Sequence, residues 1–222
     1  MVGACPPSAA PGVEDGHSAG SRRPEPRADD GLVVEGTMGS IGQVAVESAM
    51  SGHLESLGSC YREALGELSY LLGDVILSFR LDRTGGVKWV HVASSTLGHQ
   101  ATESCLASRA ASIRFPRPQG GEAEFSYPLN FNPGSGRPPE VWNASHVAEA
   151  VGGHRAEIEA CGARGEGYSI TMYVGRGGRV TAAGVSCPDH EATTAADCVA
   201  RAAIGWSMPD PGSWVAKVTV DL

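Results

Sequence analysis

The chain has 222 residues, room for one large or two small domains, and its 41% hydrophobic content is enough for a core. Aromatics make up only 6%, so that core rests on Val, Leu, Ile and Ala. A net charge of −8 repels a phosphate backbone and argues against nucleic acid, and no apolar run reaches the roughly 18 residues that read as a membrane-spanning helix.

Residues 1–30 hold Cys5 and five prolines among Gly, Ser and charges, with no periodicity. This composition predicts a disordered tether. It lacks the apolar region of a secretory signal. Val2-Gly3-Ala4-Cys5 nevertheless has the small residues before Cys that end a bacterial lipoprotein signal, so a lipidated Cys5 and a plain tail cysteine both fit. Residues 31–41 are read as adding a strand before the first domain.

Leu54, Leu57, Tyr61 and Leu65 recur at helical spacing with Cys60 beside them. Val75, Leu77, Phe79 and Leu81 alternate with polar residues, a half-buried strand. Asp82-Arg83-Thr84-Gly85-Gly86 is a turn, and residues 87–92 form the return strand. Thr102 is placed to cap a helix running to Ile113. Ala123, Phe125, Tyr127, Leu129 and Phe131 then alternate as a last strand. Pro128 within it cannot donate to a ladder and predicts an edge or a bulge.

The order of these features recurs. Cys60, Gly85-Gly86, Cys105 and Pro116-Arg117-Pro118 are matched by Cys161, Gly177-Gly178, Cys198 and Pro209-Asp210-Pro211, with part of residues 67–72 missing from the second copy. In that copy Val147, Val151, Ile158 and Cys161 mark the first helix. Tyr168, Ile170, Met172 and Val174 mark the first strand, and Trp214, Ala216, Val218 and Val220 the last. The expected architecture is α+β: two tandem small domains, 31–133 and 141–222, joined by a Pro/Gly linker over 134–140. Each reads as helix, hairpin, helix and strand, with its helices on one face of an antiparallel sheet.

Each copy carries one Cys late in its first helix and one inside its second. Two helices on the same face bring such positions together, which predicts Cys60–Cys105 and Cys161–Cys198. Disulfides place the chain in an oxidising compartment. Cys187 has no matching cysteine, since Ser95 holds its place, and is read as a free, partly buried thiol. A Cys5–Cys187 pair is the alternative if Cys5 carries no lipid.

Catalytic signatures are weak. Cys187, His190 and Cys198 lack the second half of a structural zinc site. The glycine pairs sit in hairpins and do not lead from a strand into a helix, so they are poor phosphate loops. Ser94-Ser95-Thr96 has no G-x-S-x-G around it. The expectation is therefore a non-enzyme with no catalytic residue, metal or cofactor. A thiol redox protein using Cys187 with His190 as base is a lesser alternative.

The string Val34-Glu35-Gly36, Cys60-Tyr61-Arg62-Glu63-Ala64-Leu65, Ser94-Ser95-Thr96-Leu97, Phe115-Pro116-Arg117-Pro118 and Tyr127-Pro128-Leu129-Asn130-Phe131 resembles the AgmX/PglI C-terminal domain of myxobacteria, a TonB-like module. The resemblance covers residues 33–133. The second copy matches weakly, with Gly162 in place of the Tyr and Cys187-Pro188-Asp189 interrupting S-S-T-L. It implies a periplasmic or lipid-anchored protein–protein interaction module of the cell envelope, serving a larger machine. Partners would be other envelope proteins, adding strands to an exposed edge. The terminal positions of the last strands and Pro128 point to the edges carrying Phe125, Tyr127, Leu129 and Phe131, and Trp214 and Val218. Membrane contact would come only through Cys5. The competing reading is a structural subunit of a larger complex, with Trp142, Trp206 and Trp214 as anchors where exposed.

Overall fold

The computed structural model describes residues 34–35 and 39–222. The expected tether and Cys5 lie outside the described residues. Of the strand expected over 31–41, a two-residue piece, β1 (Val34–Glu35), is described.

The first sheet is built from β2 (Gly73–Leu81), β3 (Val87–Ser95) and β4 (Ala123–Phe131), in the order β1-β4-β2-β3 with every pair antiparallel. Alternation along β2 sends Val75, Leu77, Phe79 and Leu81 into one core, where they meet Leu57 and Tyr61 of α2 (Leu54–Leu65) and Leu106 of α3 (Gln100–Ala110). Phe79 stacks on Phe125 at 4.8 Å between centroids. A further helix, α1 (Gln43–Ser51), buries Val46 and Met50; the sequence reading missed it because its apolar stripe is only those two positions wide. The second helix starts earlier than expected: Gln100 opens it, and Thr102 bonds the His99 imidazole instead of capping the backbone.

The second sheet contains β5 (Glu140–Trp142), β6 (Ser169–Val174), β7 (Val180–Ser186) and β8 (Ala216–Asp221), in the order β5-β8-β6-β7. It is antiparallel except for β5, which runs parallel to β8, so this sheet is mixed rather than purely antiparallel. Glu140, expected to end the linker, opens β5. The single helix expected across Val147, Val151, Ile158 and Cys161 is broken into α4 (Ala148–Gly153) and α5 (Arg155–Ala160). Gly152 and Gly153 are poor helix formers, and the break falls at His154 beside them. The last helix is α6 (Thr193–Ala203).

The two halves share landmarks at one constant offset in residue number. Gly85 (φ +88°) and Gly178 (φ +73°) each press on a carbonyl, of Phe115 and Met208 respectively. A Cβ would lie 2.0 Å from the first oxygen and 1.8 Å from the second, so only glycine fits either hairpin. Cys105 and Cys198 obey the same offset. The disulfides Cys60–Cys105 and Cys161–Cys198 span Cα–Cα distances of 5.9 and 5.5 Å and tie the helices over each sheet.

Candidate functional site

Three features are candidates: the outer strand edges, the thiol, and the seam between the halves. The open edges come first. β4 pairs with β2 along its whole length, while β1 covers only Glu124 and Phe125 on its other side. From Ser126 to Phe131 that side has no strand partner among the described residues. Pro128 stands in this stretch, where a missing N–H on the outward side costs no ladder bond. The second half repeats the plan: β5 covers Ala216 to Val218 on the outer side of β8, and residues 219–221 have no strand partner there among the described residues.

The side chains expected to line these edges are distributed unevenly. Phe125, Leu129, Phe131 and Val218 are buried in the two cores, so what they leave at the edge is backbone. Tyr127 and Trp214 are half-buried. Trp214 donates its indole N–H to Pro138 O, with the Arg137 guanidinium over its ring. Trp206 is buried, stacked on His154 and bonded to Glu157, and Trp142 is half-buried against His146. Beside the open end of β8 lies a groove of about 550 Å³, walled by Val151, Ile158, Ala163 and Val220 with Arg155 and Arg164 on its lining.

Cys187 is a free thiol, buried rather than partly buried. Its Sγ–H points to Asp189 O at 3.2 Å, and burial pushes its pKa up to about 11. A thiol held protonated at neutral pH is a weak nucleophile. His190, proposed as its base, instead stacks on Trp89. Among the described residues no group of three His, Cys, Asp or Glu side chains is placed to hold a metal ion.

The other two strand edges face each other. The Cys187 N–H bonds Val92 O of β3, and the Val185 N–H of β7 bonds the Gln100 side chain of α3. This seam continues across the outer face of the second sheet. Tyr173 is wholly buried in the first half's core cluster, where its hydroxyl donates to Leu72 O and accepts from Leu72 N–H. Lys217 donates to the same carbonyl at 2.7 Å, and burial lowers its pKa to about 8. Thr171 donates to Ser95 O, and Gly98 approaches the Thr171 side chain too closely for a Cβ. At the centre lies Glu103, fully buried, one oxygen bonded and the other without a partner. The sequence reading missed the seam residues. The one available signal was β6, where Tyr173 puts a large ring on the side that Ser169 and Thr171 mark as polar.

Comparison with protein-family models, characterised proteins and solved structures finds no match to this chain.

Proposed function

We propose that the chain is a non-enzymatic protein-binding module that accepts extended segments of other proteins along its open strand edges. More narrowly, we read it as two tandem TonB-like domains of the AgmX/PglI kind, the second diverged. It would act in the bacterial periplasm, free or anchored through Cys5, as an accessory or structural part of an envelope machine. Two disulfides suit an oxidising compartment. No helix among the described residues is long and apolar enough to cross a membrane, so attachment in this reading rests on Cys5.

The observation that carries the reading is the outer side of β4 beyond Phe125, which has no strand partner among the described residues. Unpaired backbone N–H and C=O groups there can take an added strand, with main-chain bonds giving affinity and alternate side chains giving specificity. The test uses peptides selected from a random display library against the full chain. Selected peptides should alternate apolar and polar residues and slow hydrogen exchange at the outward amides of residues 126–131 or 219–221. Binders that leave both sets of amides unchanged refute the edge reading.

A further inference from the structure

Among the described residues Glu103 is the one carboxyl group buried at the seam, and no Lys or Arg pairs with it. Its Oε1 accepts from the Ser95 hydroxyl at 2.7 Å, the Gly98 N–H at 3.0 Å and the His99 N–H at 3.4 Å. All three donors belong to the first half, Ser95 at the end of β3 and Gly98 and His99 in the connection to α3. Oε2 has no donor. The carboxyl group lies against Gly184 of the second half so closely that a Cβ there would stand 2.5 Å from either oxygen. One acid thus holds the first half's docking segment together and forms part of the surface on which β7 rests. Ala196 occupies the matching position of α6, so the second half has no copy of it.

We propose that Glu103 is a pH-operated clasp between the halves: the neutral acid closes the seam of α3 against β7, and the carboxylate opens it. A buried anion with one oxygen bare is far costlier than a buried neutral hydroxyl. Among the described residues no Lys or Arg acts on it. The ionisable groups facing it are Asp197 of α6, the Tyr173 hydroxyl of β6, the Cys187 thiol after β7, His91 of β3, buried with neither ring nitrogen bonded, and His99 just before α3. Burial first, and the Asp197 charge after it, raise the Glu103 pKa, against the lowering effect of its three hydrogen bonds. Burial also holds both His91 and His99 toward their neutral forms. Separation at this point uncovers Cys187, whose N–H closes on Val92 O in the same seam.

The thiol is therefore the reporter. The experiment measures the rate at which a maleimide labels Cys187 in the full chain, located by mass spectrometry, across the neutral pH range. Wild type is compared with Glu103→Gln, which is neutral at every pH and carries the same intrinsic thiol chemistry. The ratio of wild-type to variant rates should be near one at low pH. It should then rise about tenfold per pH unit through the opening range, one proton being released per opening. Asp197→Asn removes the neighbouring negative charge, makes the buried carboxylate less costly, and should end the rise at a lower pH and a smaller ratio than in wild type. That comparison with wild type decides the matter even if Glu103→Gln fails to fold. A flat ratio, or a rise in Asp197→Asn that continues as far as in wild type, overturns the clasp.

Discussion

Replacing Tyr173 with Phe removes one oxygen from the seam and nothing else. The hydroxyl donates to Leu72 O at 2.9 Å and accepts from Leu72 N–H at 3.1 Å. After substitution Leu72 O keeps Lys217 as a donor, but Leu72 N–H loses its partner. An orphaned N–H costs about 1–3 kcal/mol, and the lost donor bond adds roughly 0.5–1.5 kcal/mol. Ring packing against Tyr70 is retained. The expected loss is therefore about 1.5–4.5 kcal/mol, a fall in Tm of roughly 3–18 °C for a chain of this size. Urea unfolding of both proteins measures it, and the slope should stay the same if the two halves unfold together. A loss under about 0.5 kcal/mol, the level of an ordinary surface change, would refute the claim that the halves are closed through Leu72 and Tyr173.

Other substitutions test other parts of the structure. Gly178→Ala should cost at least about 3 kcal/mol, because it adds a Cβ clash to left-handed backbone, whereas Gly177→Ala, also left-handed (φ +71°) but in open space, should cost about 1 kcal/mol; thermal melts of the pair separate clash from strain. Removing either disulfide as a double Cys→Ser variant should cost about 4 kcal/mol by loop entropy, the loops spanning 45 and 37 residues, as read by denaturant titration. Loss of Cys161–Cys198 should also reduce far-ultraviolet helix signal, since the six residues of α5 are too few to stay helical untethered. Lys217 has a native pKa near 8, below its ordinary 10.5, so between those values the unfolded chain binds a proton that the native protein does not. Stability should rise with pH across that window, and Lys217→Met should abolish this rise in pH-dependent urea midpoints.

Local pattern carried much of the architecture. Period-two runs marked β2, β4 and β8, glycine pairs marked both hairpins, and one Cys on each of two same-face helices pointed to both disulfide pairs. Each of these signals lies within a few residues and depends on one buried face. Places where the pattern was thin were misread: α1 has a stripe of two residues, and Gly152-Gly153 split a helix that Val147, Val151 and Ile158 had suggested was continuous. The terminal strands were read as edges, and β1 and β5 cover the start of each, a pairing no period could reveal because it involves two and three residues.

What residue order alone established is therefore the content of each half: its strands, turns, helices over the sheet and the sulfur bridge between them. Docking of the halves was decided in three dimensions. Thr171 and Tyr173 sit at positions that alternation assigns to solvent, and they are buried only because a surface from the distant first half covers them. Glu103 reads as a solvated helix residue until Gly184, across the seam, shuts water out. Periodicity records which side of an element is apolar; whether its polar side also meets protein depends on a partner surface far away in the chain, and nothing local encodes that encounter.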